Sequence, residues 1–153
     1  MLSVQEKMSH AERKCRDSGA RLTNKRKLIL SSLLLSDKAM SAYELVDYLK
    51  NELDESIPAM SVYRILEFLQ KEQFVHKLNL ANKFVACSHI QCDHRHAIPQ
   101  FLICCECQRV EEVNLGKITA SELETNVAKA GFQLVSPQIE INCLCGDCVD
   151  AAA

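Results

Sequence analysis

Cys104 and Cys107 are separated by two residues, and so are Cys145 and Cys148. Two Cys-x-x-Cys pairs supply the four thiolates of a tetrahedral zinc site, with Zn–S bonds of about 2.3 Å and no open position. Residues 108–144 lie between the pairs, a span far longer than the ~15–20 residues of a zinc finger. The metal would therefore tie the first strand of a folded region to its C-terminal end. A thioredoxin-like redox pair is the alternative, but that motif sits singly at a helix start. Cys105 and Cys143 adjoin the pairs and could in principle replace a neighbour, although the Cys-x-x-Cys loop favours Cys104, Cys107, Cys145 and Cys148.

A second concentration of ligand chemistry is CSHIQCDHRH at residues 87–96, where Cys87, His89, Cys92, His94 and His96 can each hold a metal. His76 and Cys87 fall on two short β-rich runs, FVHKL and KFVAC, joined by the polar turn NLAN, so a hairpin can bring them face to face. Glu111 and Glu112 follow the first cysteine pair and could add a carboxylate. A mixed nitrogen, sulfur and oxygen set binds zinc more weakly than four thiolates, which suits sensing. Catalysis is disfavoured. Zinc deaminases need His-x-Glu followed by Pro-Cys-x-x-Cys, whereas this chain has His94-Arg95-His96 and no proline before Cys104, and HExxH is absent.

The elements that must position these groups form two halves. Thr23 to Leu35 starts on a threonine and places Leu22, Ile29, Leu30, Leu33 and Leu34 on roughly one helical face. SAYE at residues 41–44 is a capping box opening a helix with a Leu45, Leu49, Leu53 stripe. In IPAMSVYRILEFLQKE, Pro58 suits a helix start. Val62, Ile65, Leu66 and Leu69 should pack inward, leaving Met60, Arg64, Glu67 and Lys71 on the opposite face with Tyr63 at its flank. Three helices and a hairpin describe either a winged helix, with the last helix in the DNA major groove, or merely a small α+β core. After a polar, His-rich linker, FLICCECQRVEEV reads as a strand or strand pair. TASELETNVAKAG reads as a helix capped by Thr119 and Glu122 with Gly131 at C′, and FQLVSPQIEINCLC as strand material. This small α/β region is hard to stabilise alone, so a structural metal or dimerisation would help it.

Charge sharpens the division. The chain of 153 residues has net charge −2, but residues 1–79 hold 13 Lys+Arg against 11 Asp+Glu and residues 80–153 hold 5 against 9. Residues 7–27 alone carry 8 basic and 2 acidic side chains, a local patch of the kind nucleic-acid binding requires, or simply a solvated face. The N-terminus is charged where a signal peptide needs an apolar core, and no apolar run approaches the ~18 residues of a membrane span. A soluble cytoplasmic protein without membrane contact is expected. Nine cysteines in a reducing compartment favour metal thiolates over disulfides, and an odd number cannot pair completely within one chain.

From about Glu12 to Val149 the chain resembles the ferric uptake regulator family, and within it the zinc-sensing branch. RLTNKR at 21–26 is similar to the family's RLTPQR, AYELVDYL to the following helix, and SVYRILEFLQKEQFVHKL to the recognition helix and wing. ICCEC and CLCGDC stand where the family has its two cysteine pairs. FVHK followed by Cys87 is closer to zinc regulators than to iron or peroxide sensors, which favour His and carboxylate ligands there. The resemblance implies an α+β fold: an N-terminal winged-helix DNA-binding domain (residues 1–87), a hinge linker (88–98) and a small zinc-stabilised α/β dimerisation domain (99–153). It implies a non-enzymatic, dimeric, zinc-responsive repressor of zinc-uptake genes with two zinc ions per chain. Cys104, Cys107, Cys145 and Cys148 would hold structural zinc, and His76, Cys87, His96 and Glu112 regulatory zinc, with His89, Cys92 and His94 as alternates. Tyr43, Tyr63 and Arg64 would contact operator DNA. Asn24 and Lys25 replace the family's usual Pro and Gln, and Gln108 replaces the usual Gly after the first pair. An iron or peroxide sensor of the same family, or a zinc buffer without DNA binding, is the alternative.

Overall fold

Serine and threonine caps open the first three helices of the computed structural model, which describes residues 2–91, 98–135 and 137–152. The chain divides into two compact units, Met1–Cys92 and Asp93–Ala153. In the first, helix α1 (Val4–Asp17) begins with a capping box between Ser3 and Glu6 and buries Ala11 and Cys15. Helix α2 (Asn24–Leu35) starts from Thr23, whose hydroxyl accepts from the Arg26 amide, so the Asn24 and Lys25 departures leave the cap intact. Its Ile29, Leu30 and Leu33 are buried, while Leu34 packs against the core partly exposed.

Helix α3 (Ala42–Leu53) carries the expected capping box. Ser41 N donates to Glu44 Oε2 at 2.7 Å and Glu44 N to Ser41 Oγ at 3.1 Å. Leu45 and Leu49 are fully buried, but Leu53 is 41% exposed. The expected stripe stops one turn early because the helix ends there, with Asp54 turning left-handed at φ 51°. Helix α4 (Ala59–Lys71) has Pro58 at its N-cap, and Val62, Leu66 and Leu69 are buried, with Ile65 packed at the core margin. The chain then turns back as an antiparallel hairpin, β1 (Val75–Leu78) with β2 (Lys83–Ala86), in the register His76↔Val85. Met40 and Phe84 exchange two backbone hydrogen bonds of 3.0 and 2.8 Å, tying the hairpin to the α2–α3 connection. Helices closed by a hairpin over one aliphatic core make a winged helix.

In the second unit, FLICCECQRVEEV is a strand pair, β3 (Pro99–Cys104) antiparallel to β4 (Val110–Asn114). Helix α5 (Lys117–Lys129) carries the chain to β5 (Ile139–Cys143), which lies parallel to β3 in the register Cys104↔Cys143. A parallel neighbour requires such a crossover. The sheet order is β4-β3-β5, and α6 (Gly146–Ala152) ends the described chain. Thr119 is not a cap: the N-cap of α5 is Gly116, three residues earlier, with no side-chain cap. Only Leu115 and Gly116 separate β4 from the helix, and the Leu115 amide is bound to Ile98 O at 3.1 Å, so the turn is complete before Thr119 is reached. Gly131 does occupy C′, at φ 84°, with its amide bonded to Ala128 O and that of Phe132 to Val127 O, both at 3.0 Å. Among the described residues of FQLVSPQIEINCLC, Ile139–Cys143 is strand. The architecture is α+β, a winged helix followed by a small α/β unit.

Ser41→Ala removes the acceptor for the Glu44 amide. Urea denaturation should register a loss of about 1 kcal/mol, with the slope against denaturant unchanged.

Candidate metal centre and nucleic-acid interface

The Cys104 thiol closes β3, Cys107 sits in the turn that follows, and Cys145 and Cys148 flank the start of α6. Parallel pairing of β3 with β5 sets these two segments side by side, and the four Sγ atoms all lie within 4.8 Å of one another. A regular tetrahedron with ~2.3 Å Zn–S bonds has S···S edges of about 3.8 Å, and Cys107 Sγ to Cys145 Sγ is 3.6 Å. The set therefore fits a closed, tetrahedral zinc. Cys105 and Cys143 lie outside this group of four: Cys105 is exposed and Cys143 Sγ points at Ile141 O, 3.6 Å away.

Amides prepare the sulfurs. Hydrogen bonds from the backbone of Cys107 and then of Cys145, the latter at 3.4 Å, lower the Cys104 pKa to about 6. Cys148 is pushed up to about 12, chiefly because its thiol donates to Cys145, with burial adding to it. Four clustered thiols cannot all ionise without a cation. The Arg109 guanidinium lies beside the cluster, 3.1 Å from Asp147 Oδ2, and its pKa is raised first by Cys145 and then by Asp147. The sequence reading passed over Arg109. Its signal was a cation just past the first cysteine pair in the acidic half of the chain.

On the wing, His76 pairs with Val85, two residues before Cys87, so His76 and Cys87 are diagonal neighbours on one face of the hairpin rather than directly opposed. Their ligand atoms lie within 4.8 Å of each other. Cys87 is fully buried, and its amide donates to Phe74 O at 2.8 Å, holding the pair at the open end of the ribbon. Glu112 is half-buried on β4 of the second unit. His89 is half-buried beside Ser88, whose Oγ is 3.1 Å from His89 Nδ1. Cys92, His94 and His96 lie outside the described residues.

The expected reading face is exposed. Met60, Tyr63, Arg64, Glu67 and Lys71 all face away from the α4 core positions. Tyr43 at the start of α3 meets Tyr63 edge to face, with ring centroids 6.3 Å apart and planes at 83°. The basic run of residues 7–27 is less available than its charge suggests: Lys27 pairs with Glu12, Lys14 lies 5.4 Å from the Phe74 ring, and Arg26 stacks 3.6 Å over Phe68. Part of that charge therefore secures α1 and α2 to the core.

The sequence model of the ferric uptake regulator family matches residues 17–142. The chain belongs to this family. Among its relatives, the zinc uptake regulation protein of Escherichia coli (strain K12) is 36% identical over 151 residues, covering 99% of this chain and 86% of its own. A zinc uptake regulator solved in complex with zinc and DNA superimposes with TM-score 0.87 at 33% identity, covering 99% of each chain. Holo XcZur superimposes with TM-score 0.79 at 34% identity, covering 99% of this chain and all of its own. The family is one of regulators, which agrees with the non-enzymatic reading. Among the described residues, no helix is long and apolar enough to cross a membrane.

Relative to a family pattern with Gly after the first cysteine pair, Gln108 adopts the left-handed conformation a glycine would take without cost, at φ 64°. Its side chain donates to Cys105 O at 3.1 Å, and its amide to Cys104 O at 3.0 Å, which closes the Cys-x-x-Cys turn.

Zinc held by this set would take all four sulfurs as thiolates. With the Cys104 thiol lowered to about 6 and that of Cys148 pushed up to about 12, loading would release protons and apparent affinity would fall as pH falls. Calorimetry in buffers of differing ionisation enthalpy should register net proton release at pH 7, and competition with a chelator should show weaker zinc retention at pH 6 than at pH 8.

Proposed function

We propose that this chain is a zinc-responsive transcriptional repressor, which binds operator DNA as a homodimer when zinc-loaded and represses zinc-uptake genes. Its end-to-end likeness to a zinc uptake regulator solved with zinc and DNA carries this reading. In it, residues 1–87 bind DNA, 88–98 form a hinge and 99–153 dimerise. The setting is cytoplasmic, where the chromosome is. Each chain holds two zinc ions. Cys104, Cys107, Cys145 and Cys148 keep one permanently, as a closed set of thiolates does. His76, Cys87, His96 and Glu112 hold the other reversibly. His76 and Cys87 support this by sharing one face of the wing, and Cys87 is a softer donor than an iron or peroxide sensor prefers. Large apolar side chains left exposed on the second unit, Ile118 (78%), Phe132 (74%) and Val135 (91%), suit burial against a second copy.

Tyr43, Tyr63 and Arg64 contact DNA. Arg64 is the base reader, since a guanidinium can make two parallel hydrogen bonds to one guanine edge. A zinc buffer would need no such face. Reversible zinc acts by selecting the dimer arrangement whose two recognition helices meet half-sites about one helical turn apart. It shifts that equilibrium only by its differential affinity for the two arrangements.

Metal analysis of the purified protein should find two zinc ions per chain, one lost to mild chelation and one retained; a single retained ion would remove the regulatory site from this scheme. In gel-shift titrations on a zinc-uptake promoter fragment, zinc should strengthen binding and chelator abolish it. Equal affinity in both conditions would refute the repressor reading. Arg64→Ala should cost about 1–3 kcal/mol on specific DNA and much less on random duplex, and unchanged sequence discrimination would clear Arg64 of base reading.

A further inference from the structure

We infer that Met60 reads a thymine methyl group beside the base read by Arg64; the inference rests on the proposed DNA-binding role of α4. Met60 is the second residue of that helix and is 66% exposed. It is not displaced core: the buried positions of α4 are Val62, Leu66 and Leu69, and Met60 lies on the other side of the helix. It shares that side with Tyr63 and Arg64 at i+3 and i+4, the spacing of neighbouring side chains on one helical face. Tyr63 is braced in turn by its edge-to-face contact with Tyr43. Met60 (66%), Tyr43 (65%) and Tyr63 (41%) thus bring large exposed apolar groups to the N-terminal end of the helix. That is the end a recognition helix points at base edges.

Charge favours a nucleic-acid occupant over an apolar protein groove. The first turn of α4 contains no acid, and the face continues into Arg64 and, further along, Lys71, with Glu67 arriving only two turns in. A thioether can neither donate a proton nor act as a strong acceptor, so a base edge that satisfies it must present carbon. In the major groove thymine does so with a whole methyl group at C5, where cytosine offers only a C5–H. Four residues of helix rise about 6 Å and base pairs stack about 3.4 Å apart. The thymine should therefore lie within about two base pairs of the Arg64 guanine. Methionine suits the task because its unbranched, polarisable chain adapts to the groove wall.

The test is selection from a random duplex library by the zinc-loaded full chain, as wild type, Met60→Ala and Met60→Leu. Wild type and Met60→Leu should return half-sites with a guanine and, within two base pairs, a fixed thymine. Met60→Ala should keep the guanine and lose the thymine. In the selected duplex, replacing that thymine by uracil removes one methyl and should weaken wild type about fourfold per half-site, the equivalent of one buried CH₂, and leave Met60→Ala unchanged. Circular dichroism should show all three proteins folded alike, as expected for an exposed position. A Met60→Ala consensus that retains the thymine, or a wild type indifferent to uracil, overturns the inference. A wild type that selects no sequence at all overturns the DNA-reading role itself, and this inference with it.

Discussion

Four sulfur atoms gathered within 4.8 Å join the turn after β3 to the start of α6, and the second unit has little else to close it. Its buried residues, among those described, are Ile98, Phe101, Ile103 and Cys104, and neither α5 nor α6 contributes one. The parallel pairing of β3 with β5 closes a loop that contains β4 and all of α5, and closure of such a loop costs entropy before any contact repays it. Zinc bridging the two cysteine pairs would hold that loop shut where the register Cys104↔Cys143 brings the strands together. Metal affinity is then folding free energy. The amides aimed at Cys104 hold that thiol below its usual range and ready for the metal.

The first unit rests on a different foundation. Ile29, Leu30, Leu45, Leu49, Val62, Leu66, Leu69 and Phe74 form a continuous apolar core, so α4 is held in place without help from a metal. Glu44 links two parts of this frame: it completes the α3 capping box and pairs with Lys83 of the wing at 2.9 Å. Its pKa is lowered, first by the Ser41 backbone hydrogen bond, so that contribution is present in the neutral range and fades as acid protonates the folded-state carboxylate. In the proposed scheme a helix held this way would separate sequence reading from metal sensing, and zinc would need only to decide where that helix goes, not whether it exists.

What could be read in advance was whatever depends on local chemistry. The Ser41–Glu44 box, the inward face of α4, the hairpin and the C′ role of Gly131 follow from spacing and side-chain type, and all are present. Thr119 and Glu122 have the same spacing as Ser41 and Glu44 and yet do not cap, because the short exit from β4 starts α5 sooner. A tertiary constraint overrode a local signal. Leu53 keeps its period but outlasts the core it should have met. The Ser3–Glu6 box was legible and passed over. The parallel partnership of β3 and β5 is written in no local pattern, nor is the use of basic residues near the N-terminus to fasten helices to aromatic rings. For the candidate metal centre, composition named the four thiols, but only the strand register explains how distant pairs converge.

Register also governs the second donor pair. Successive side chains on a strand point to opposite faces, so slipping β1 against β2 by one residue would send His76 and Cys87 to opposite sides of the hairpin. Three hydrogen bonds outside the ribbon guard against this: Cys87 N to Phe74 O at its open end, and the two of the Met40–Phe84 exchange near its middle. The pair is therefore as fixed as the core beneath it. Yet two donors are only half of what zinc requires, and a wing offering a fixed but incomplete set cannot retain the ion by itself. The four-cysteine set is complete within its own unit, whereas a zinc on the wing pair would need further donors. That asymmetry would let one chain hold one zinc as structure and read another as a signal.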